Sequence, residues 1–259
     1  MMKQGKKAFT VIELLVVISI MTMLMALLLP SLAAARDNAK RIENANNLRS
    51  LQAGLVLRGH DNNGWYPGYD SSGSMYEPDT DERFEELFKG SYTNGKAAIS
   101  PSETITKTPW SSGNASSANF SYAMPSLWNL TVYFSWWNYT ALSRNDAWRD
   151  DSNSQTPVLS DRAILNSASS SWGFYIKSIH TNPEVSYQDW QGNVAWNDNH
   201  VTWESDSQVD TKIDGNRNNN DDLFRNEPDT MYRVSSRAIY TSETDAFMSA
   251  RNSYGTSSE

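Results

Sequence analysis

From Val11 to Leu29 the chain carries a single charged residue, Glu13, and no other feature limits what it can fold into as strongly. Written as a helix rising about 1.5 Å per residue, that stretch covers roughly 28 Å, the thickness of a bilayer core. Lys3, Lys6 and Lys7 precede it and favour a cytoplasmic N-terminus. Arg36, Lys40 and Arg41 follow it, interleaved with Asp37 and Glu43, and oppose that orientation only weakly. The same pattern admits two plainer readings. One is a signal peptide cut after Ala33-Ala34-Ala35, giving a chain that starts at Arg36; the other is an uncleaved anchor.

The helical pattern does not stop at the alanines. Leu32, Ala35, Ala39, Ile42, Ala45, Leu48, Leu51 and Leu55 recur in steps of three and four, the spacing of one apolar stripe on an amphipathic helix. The spacing predicts a helix from Phe9 to about Leu57, roughly 70 Å long, with Pro30 bending it rather than ending it. Glu13 sets this segment apart from a plain anchor. A carboxylate in a bilayer-spanning helix costs about 2.5–3.5 kcal/mol on insertion scales, so its presence asks for a function. A cut before Phe9 would create an ammonium one helical turn from Glu13 on the same face. Head-to-tail packing would then let Glu13 of one chain neutralise the Phe9 amine of the next and set their register.

Lys6-Lys7-Ala8-Phe9-Thr10-Val11-Ile12-Glu13-Leu14-Leu15-Val16-Val17 resembles the processing and methylation signature of type IV prepilins and type II secretion pseudopilins. The resemblance covers about the first 60 residues. It implies that a membrane prepilin peptidase cuts between Ala8 and Phe9 and methylates the new amine. It also implies that Glu13 and Pro30 serve assembly. Ala8 departs from the family, which normally carries Gly before the cut. The implied partners are further copies or relatives of the chain in a filament, the peptidase, an inner-membrane assembly platform and lipid. The implied location is the inner membrane by a single pass, then a periplasmic or cell-surface filament.

Beyond Leu57 the composition turns polar and rich in Asn, Ser, Asp and aromatics, with ten Trp, 12 Tyr and seven Phe to build a core. Gly and Asn around Gly59–Gly68 break the helix. Residues 60–125 read as mostly loop with one short helix near Asp81–Lys89. Strand patterns follow at Leu130–Trp137, Pro157–Ser160, Trp172–Ile179, Asn193–Trp196, Val201–Glu204 and Tyr232–Tyr240. Asn193 to Glu204 reads as a hairpin with a primed turn at Asp198-Asn199. The fold class is α+β: a long N-terminal helix, half membrane-spanning and half amphipathic, packed on a small antiparallel sheet. The division is a basic leader over 1–8, an assembly helix over 9–30, its amphipathic continuation over 31–58 and a β-rich extracytoplasmic domain over 59–259. The hairpin also resembles the C-terminal motif of a pilin-like family of Planctomycetes, Verrucomicrobia and Lentisphaerae, through Asn193, Asp198 and His200. His180 stands where that motif has an upstream His, at a longer spacing, and no role for it follows.

A net charge of -8 argues against nucleic acid as the main partner, because phosphate binding needs a basic face. The absence of cysteine excludes disulfides and thiol chemistry. With His60, His180 and His200 as the only histidines and no nucleophile-elbow, phosphate-loop or zincin spacing, an enzyme is not expected and no cofactor is required. Asp206, Asp210, Asp214, Asp221 and Asp222 surround a Gly turn and are calcium candidates, although a solvated loop has the same composition. Trp128, Tyr133, Phe134, Trp136, Trp137 and Tyr139 suit a strand buried in the core, or a face that stacks on sugars. Two functions remain: a pilin or pseudopilin, and a membrane-tethered extracytoplasmic module that binds a glycan or other polymer.

Overall fold

The computed structural model describes residues 10–77, 79–125, 127, 148–170, 173–180, 190–209, 221–223 and 248–249. The chain forms two compact units, Met1–Ile42 and Glu43–Glu259. Helix α1 runs from Val11 to His60 and continues through Pro30. At about 1.5 Å per residue its length is roughly 75 Å. Its first part is dominated by Leu, Met, Ala, Val and Ile with no glycine before Gly54, a composition that favours uninterrupted helix inside lipid.

In the second unit the last turns of α1 face the core. Leu48, Leu51 and Leu55 are completely buried in one cluster with Tyr66, Phe84 and Tyr122, which also takes in Val158 and Val194. The stripe read from the sequence is therefore covered only in part. Leu32, Ala35, Ala39 and Ile42 share its spacing and lie exposed. Helix α2, Thr80–Lys89, begins with Asp81 and Glu82 and ends with Lys89, charges that suit the helix dipole. Its buried face carries Phe84 and Phe88, stacked on Phe120 at 4.2 Å and on Trp110 at 5.4 Å between centroids. Arg83 on the same face is fully buried, donates to Pro125 O at 2.7 Å and lies 4.5 Å over the Trp148 ring. Burial lowers its pKa to about 9.

The main sheet combines β1 (Tyr122–Pro125), β2 (Pro157–Asp161), β5 (Gly192–Trp196), β6 (Val201–Glu204) and the two-residue β9 (Met248–Ser249), in the order β6-β5-β2-β1-β9. Every pairing in it is antiparallel. Two ribbons accompany it, β3 (Ala163–Ser170) with β4 (Gly173–Ser178), and β7 (Gln208–Val209) with β8 (Asp221–Asp222). This is the α+β plan of a long apolar helix with a small antiparallel sheet.

β1 lies where the sequence suggested loop, and β3 where no strand was expected. All four residues of β1 are buried, so Tyr122-Ala-Met-Pro shows no alternation, and its terminal Pro argues against a strand. β3 reads Ala-Ile-Leu-Asn-Ser-Ala-Ser-Ser, a composition equally suited to a turn. The hairpin of β5 and β6 forms as expected, but its turn differs. Asn199 N donates to Trp196 O at 2.9 Å and Trp196 N to His200 O at 3.0 Å. Asn199 has φ 70° and Asp198 is not in the positive-φ region. That is a three-residue loop with a left-handed Asn closing a bulge, in place of the two-residue primed turn. The expected strands Leu130–Trp137 and Tyr232–Tyr240, and the aromatic cluster from Trp128 to Tyr139, lie outside the described residues.

Candidate functional site

The first turn of α1 carries the chemistry that the sequence singled out. Ala8 and Phe9 lie outside the described residues; Thr10 caps the helix and Glu13 is its third residue. Thr10 N and Oγ1 donate to Glu13 Oε2 at 2.8 and 2.9 Å, and Glu13 N donates to Thr10 Oγ1 at 3.2 Å. The two side chains thus form a reciprocal capping box, satisfying backbone donors that a helix start otherwise leaves open. The signature Thr-x-x-Glu was present in the sequence, but the charge of Glu13 was weighed there only against a neighbour's amine and not against its own helix start. Glu13 Oε1 makes no hydrogen bond among the described residues.

The rest of the span presents hydrocarbon. Every residue from Val11 to Leu29 is exposed, and α1 is long and apolar enough to cross a membrane. Its hydroxyls turn inward: Ser19 Oγ donates to Leu15 O at 2.8 Å and Thr22 Oγ1 to Ser19 O at 3.0 Å. Those bonds remove unsatisfied donors that lipid would penalise. Pro30 is exposed and sits within the helix; beside it Ser31 Oγ donates to Leu28 O at 2.9 Å.

In the second unit the structure separates the three motif residues. Asp198 and His200 sit exposed at the hairpin tip, where Asp198 Oδ1 accepts from His200 N at 3.1 Å and pairs with His200 Nδ1. Hydrogen bonds and the charge of His200 hold the Asp198 carboxyl below its usual range against the opposing effect of burial. These are turn contacts. Asn193, in contrast, is buried on β5, and its N–H donates to Asp161 Oδ2 at 2.7 Å. His180 reaches the same oxygen through Nε2 at 2.8 Å, a meeting that no local pattern foretells.

Of the calcium candidates, Asp206 is exposed, Asp221 and Asp222 form β8, and Asp210 and Asp214 lie outside the described residues. Among the described residues, the three carboxylates that approach one another within 4.8 Å are Glu77, Asp79 and Glu82, in a different part of the unit. His60 is exposed at the end of α1.

Residues 3–29 match the family model described as the prokaryotic N-terminal methylation motif. Neither the curated proteins nor the solved structures yield a match. The matched residues take in Lys3, Lys6 and Lys7, the capping box and the apolar span. Over that segment the chain carries the N-terminal features of a type IV prepilin-like protein: a methylation motif of the kind a prepilin peptidase processes, and a helix long and apolar enough to cross a membrane.

Proposed function

We propose that the chain is a pilin or pseudopilin subunit, stored in the inner membrane, cut before Phe9 and built into a filament. On this reading residues 1–8 are the leader, 9–30 the assembly helix, 31–58 its continuation and 59–259 the domain displayed outside the cytoplasm. The observation that carries it is the first turn of α1, where an exposed apolar span holds one carboxylate that is bonded through a single oxygen among the described residues. The capping box lessens the charge penalty in the isolated subunit. The second oxygen, Oε1, is available to the methylated Phe9 amine of a neighbour. The two interactions are compatible, so assembly adds a partner without breaking the cap. Burying that pair among apolar side chains would favour one axial offset between subunits, because any other offset leaves both charges unpaired in hydrocarbon.

Glu13→Gln separates the two roles. Its amide oxygen still accepts from Thr10, so the helix start and membrane insertion persist, while the charge is gone. Incorporation into surface fibres, measured by shearing and immunoblotting, is expected to fall at least tenfold. Wild-type incorporation of Glu13→Gln would exclude the ion-pair mechanism.

A further inference from the structure

The buried face of α1 is interrupted by two polar residues, Asn44 and Gln52, both fully buried beside Leu48, Leu51 and Leu55. Each finds a partner on the sheet. Gln52 Nε2 donates to Trp196 O at the end of β5. Asn44 Nδ2 lies 2.7 and 2.8 Å from the two oxygens of Asp161, the last residue of β2.

Asp161 is itself completely buried and gathers donors from several elements. Besides Asn44, it accepts from Asn193 N on β5 at 2.7 Å and faces His180 Nε2, beyond the end of β4, at 2.8 Å. Tyr122 on β1 completes the group by donating to Asn44 Oδ1 at 2.8 Å. Burial and the charge of Asp161 push the Tyr122 phenol well above its ordinary range, so it remains a donor. The Trp203 ring meets the His180 ring edge-on, with 5.0 Å between centroids.

We propose that this joint is a register lock: Asp161, oriented by His180 and Asn193, fixes which turn of α1 docks on the sheet by accepting Asn44 and no other helix residue. An all-leucine face would bind the sheet with little preference among settings one turn apart, because hydrophobic burial is non-directional. A buried carboxylate is directional and is strongly penalised when unpaired, so a slip that set Leu48 in the place of Asn44 would strand Asp161 against hydrocarbon. Gln52 repeats the constraint two turns further along the helix, against a backbone carbonyl that cannot change identity by mutation. This also gives His180 a place: it sits with Asn193 N on Oδ2, the oxygen that Asn44 Nδ2 shares while it also reaches Oδ1.

The chain has no cysteine, so spin labels at Ala53→Cys on α1 and Ser205→Cys beyond β6 report the setting of the full-length protein in detergent without background. Both positions are exposed. The unaltered joint should give one narrow distance. Asn44→Asp opposes two carboxylates, and it should broaden that distribution or add a population displaced by about one helical turn, roughly 5.4 Å. Combining it with Asp161→Asn exchanges the two side chains. The amide then donates to the helix carboxylate and accepts from His180 and Asn193, and the single narrow distance should return. If Asn44→Asp does not accumulate, recovery of folded protein in the exchanged pair supports the lock equally. A single narrow distance in Asn44→Asp identical to that of the parent overturns the proposal. So does an exchanged pair no better than Asn44→Asp alone. None of these outcomes depends on cleavage or filament formation.

Discussion

Leu48 and Ile42 occupy the same apolar stripe of α1, yet Leu48 is fully buried while Ile42 is 64% exposed. Truncating each to Ala should therefore have unequal effects on the isolated subunit. Leu48→Ala removes buried methyl groups and leaves a cavity among Leu51, Leu55 and the sheet residues, a loss of roughly 3 kcal/mol. For a unit spanning Glu43–Glu259 that corresponds to a fall in Tm of about 6–12 °C. Ile42→Ala leaves no cavity and should stay within about 0.5 kcal/mol, a shift of no more than about 2 °C. Thermal unfolding of the full chain in detergent, followed by the fluorescence of its ten tryptophans, measures both. Equal losses at the two positions, or a larger loss at Ile42, would refute the assignment of the covered and uncovered parts of the stripe.

Two further outcomes follow from buried groups. Lys107 contacts Ser117 O at 2.6 Å and lies 3.9 Å from Glu103, which Arg162 holds at 2.6 Å; burial lowers the Lys107 pKa to about 8 despite Glu103. Between that value and 10.5 the unfolded chain binds the proton more tightly. Stability relative to Lys107→Met should therefore rise with pH in this window by up to about 1.4 kcal/mol per unit. Urea titrations of both proteins at pH 7 and pH 10 check it, and a constant difference would contradict it. At Gly192 an added Cβ would lie 2.7 Å from Trp190 Cζ2 and 2.9 Å from Asp161 Cβ. Gly192→Ala should then destabilise by about 1–3 kcal/mol, read as a lower urea midpoint, while Gly113→Ala, in open space at φ 83°, should lose only what its backbone strain costs.

How much of this was legible in the sequence depends on the range of the interactions. α1, α2, β2, β5 and β6 follow from periodicity and breakers, which act within a few residues. The capping box was equally local, four residues in all. The polar joint was not, because Asn44 and Asp161 are 117 positions apart and Asp161 and His180 are 19 apart. One hint existed: Asn44 and Gln52 fall on the buried face among leucines, and polar residues at such positions ask for a distant partner. The coverage of the stripe was also invisible. Periodicity locates an apolar face, but whether the chain's own sheet or something else meets it depends on where the sheet ends.

The mature N-terminus tests the central claim most directly. Mass spectrometry of the protein isolated from its native membranes and surface fibres should find a chain beginning at Phe9 with one added methyl group on its amine. A chain still beginning at Met1 or Met2, or one beginning at Arg36, would contradict the account.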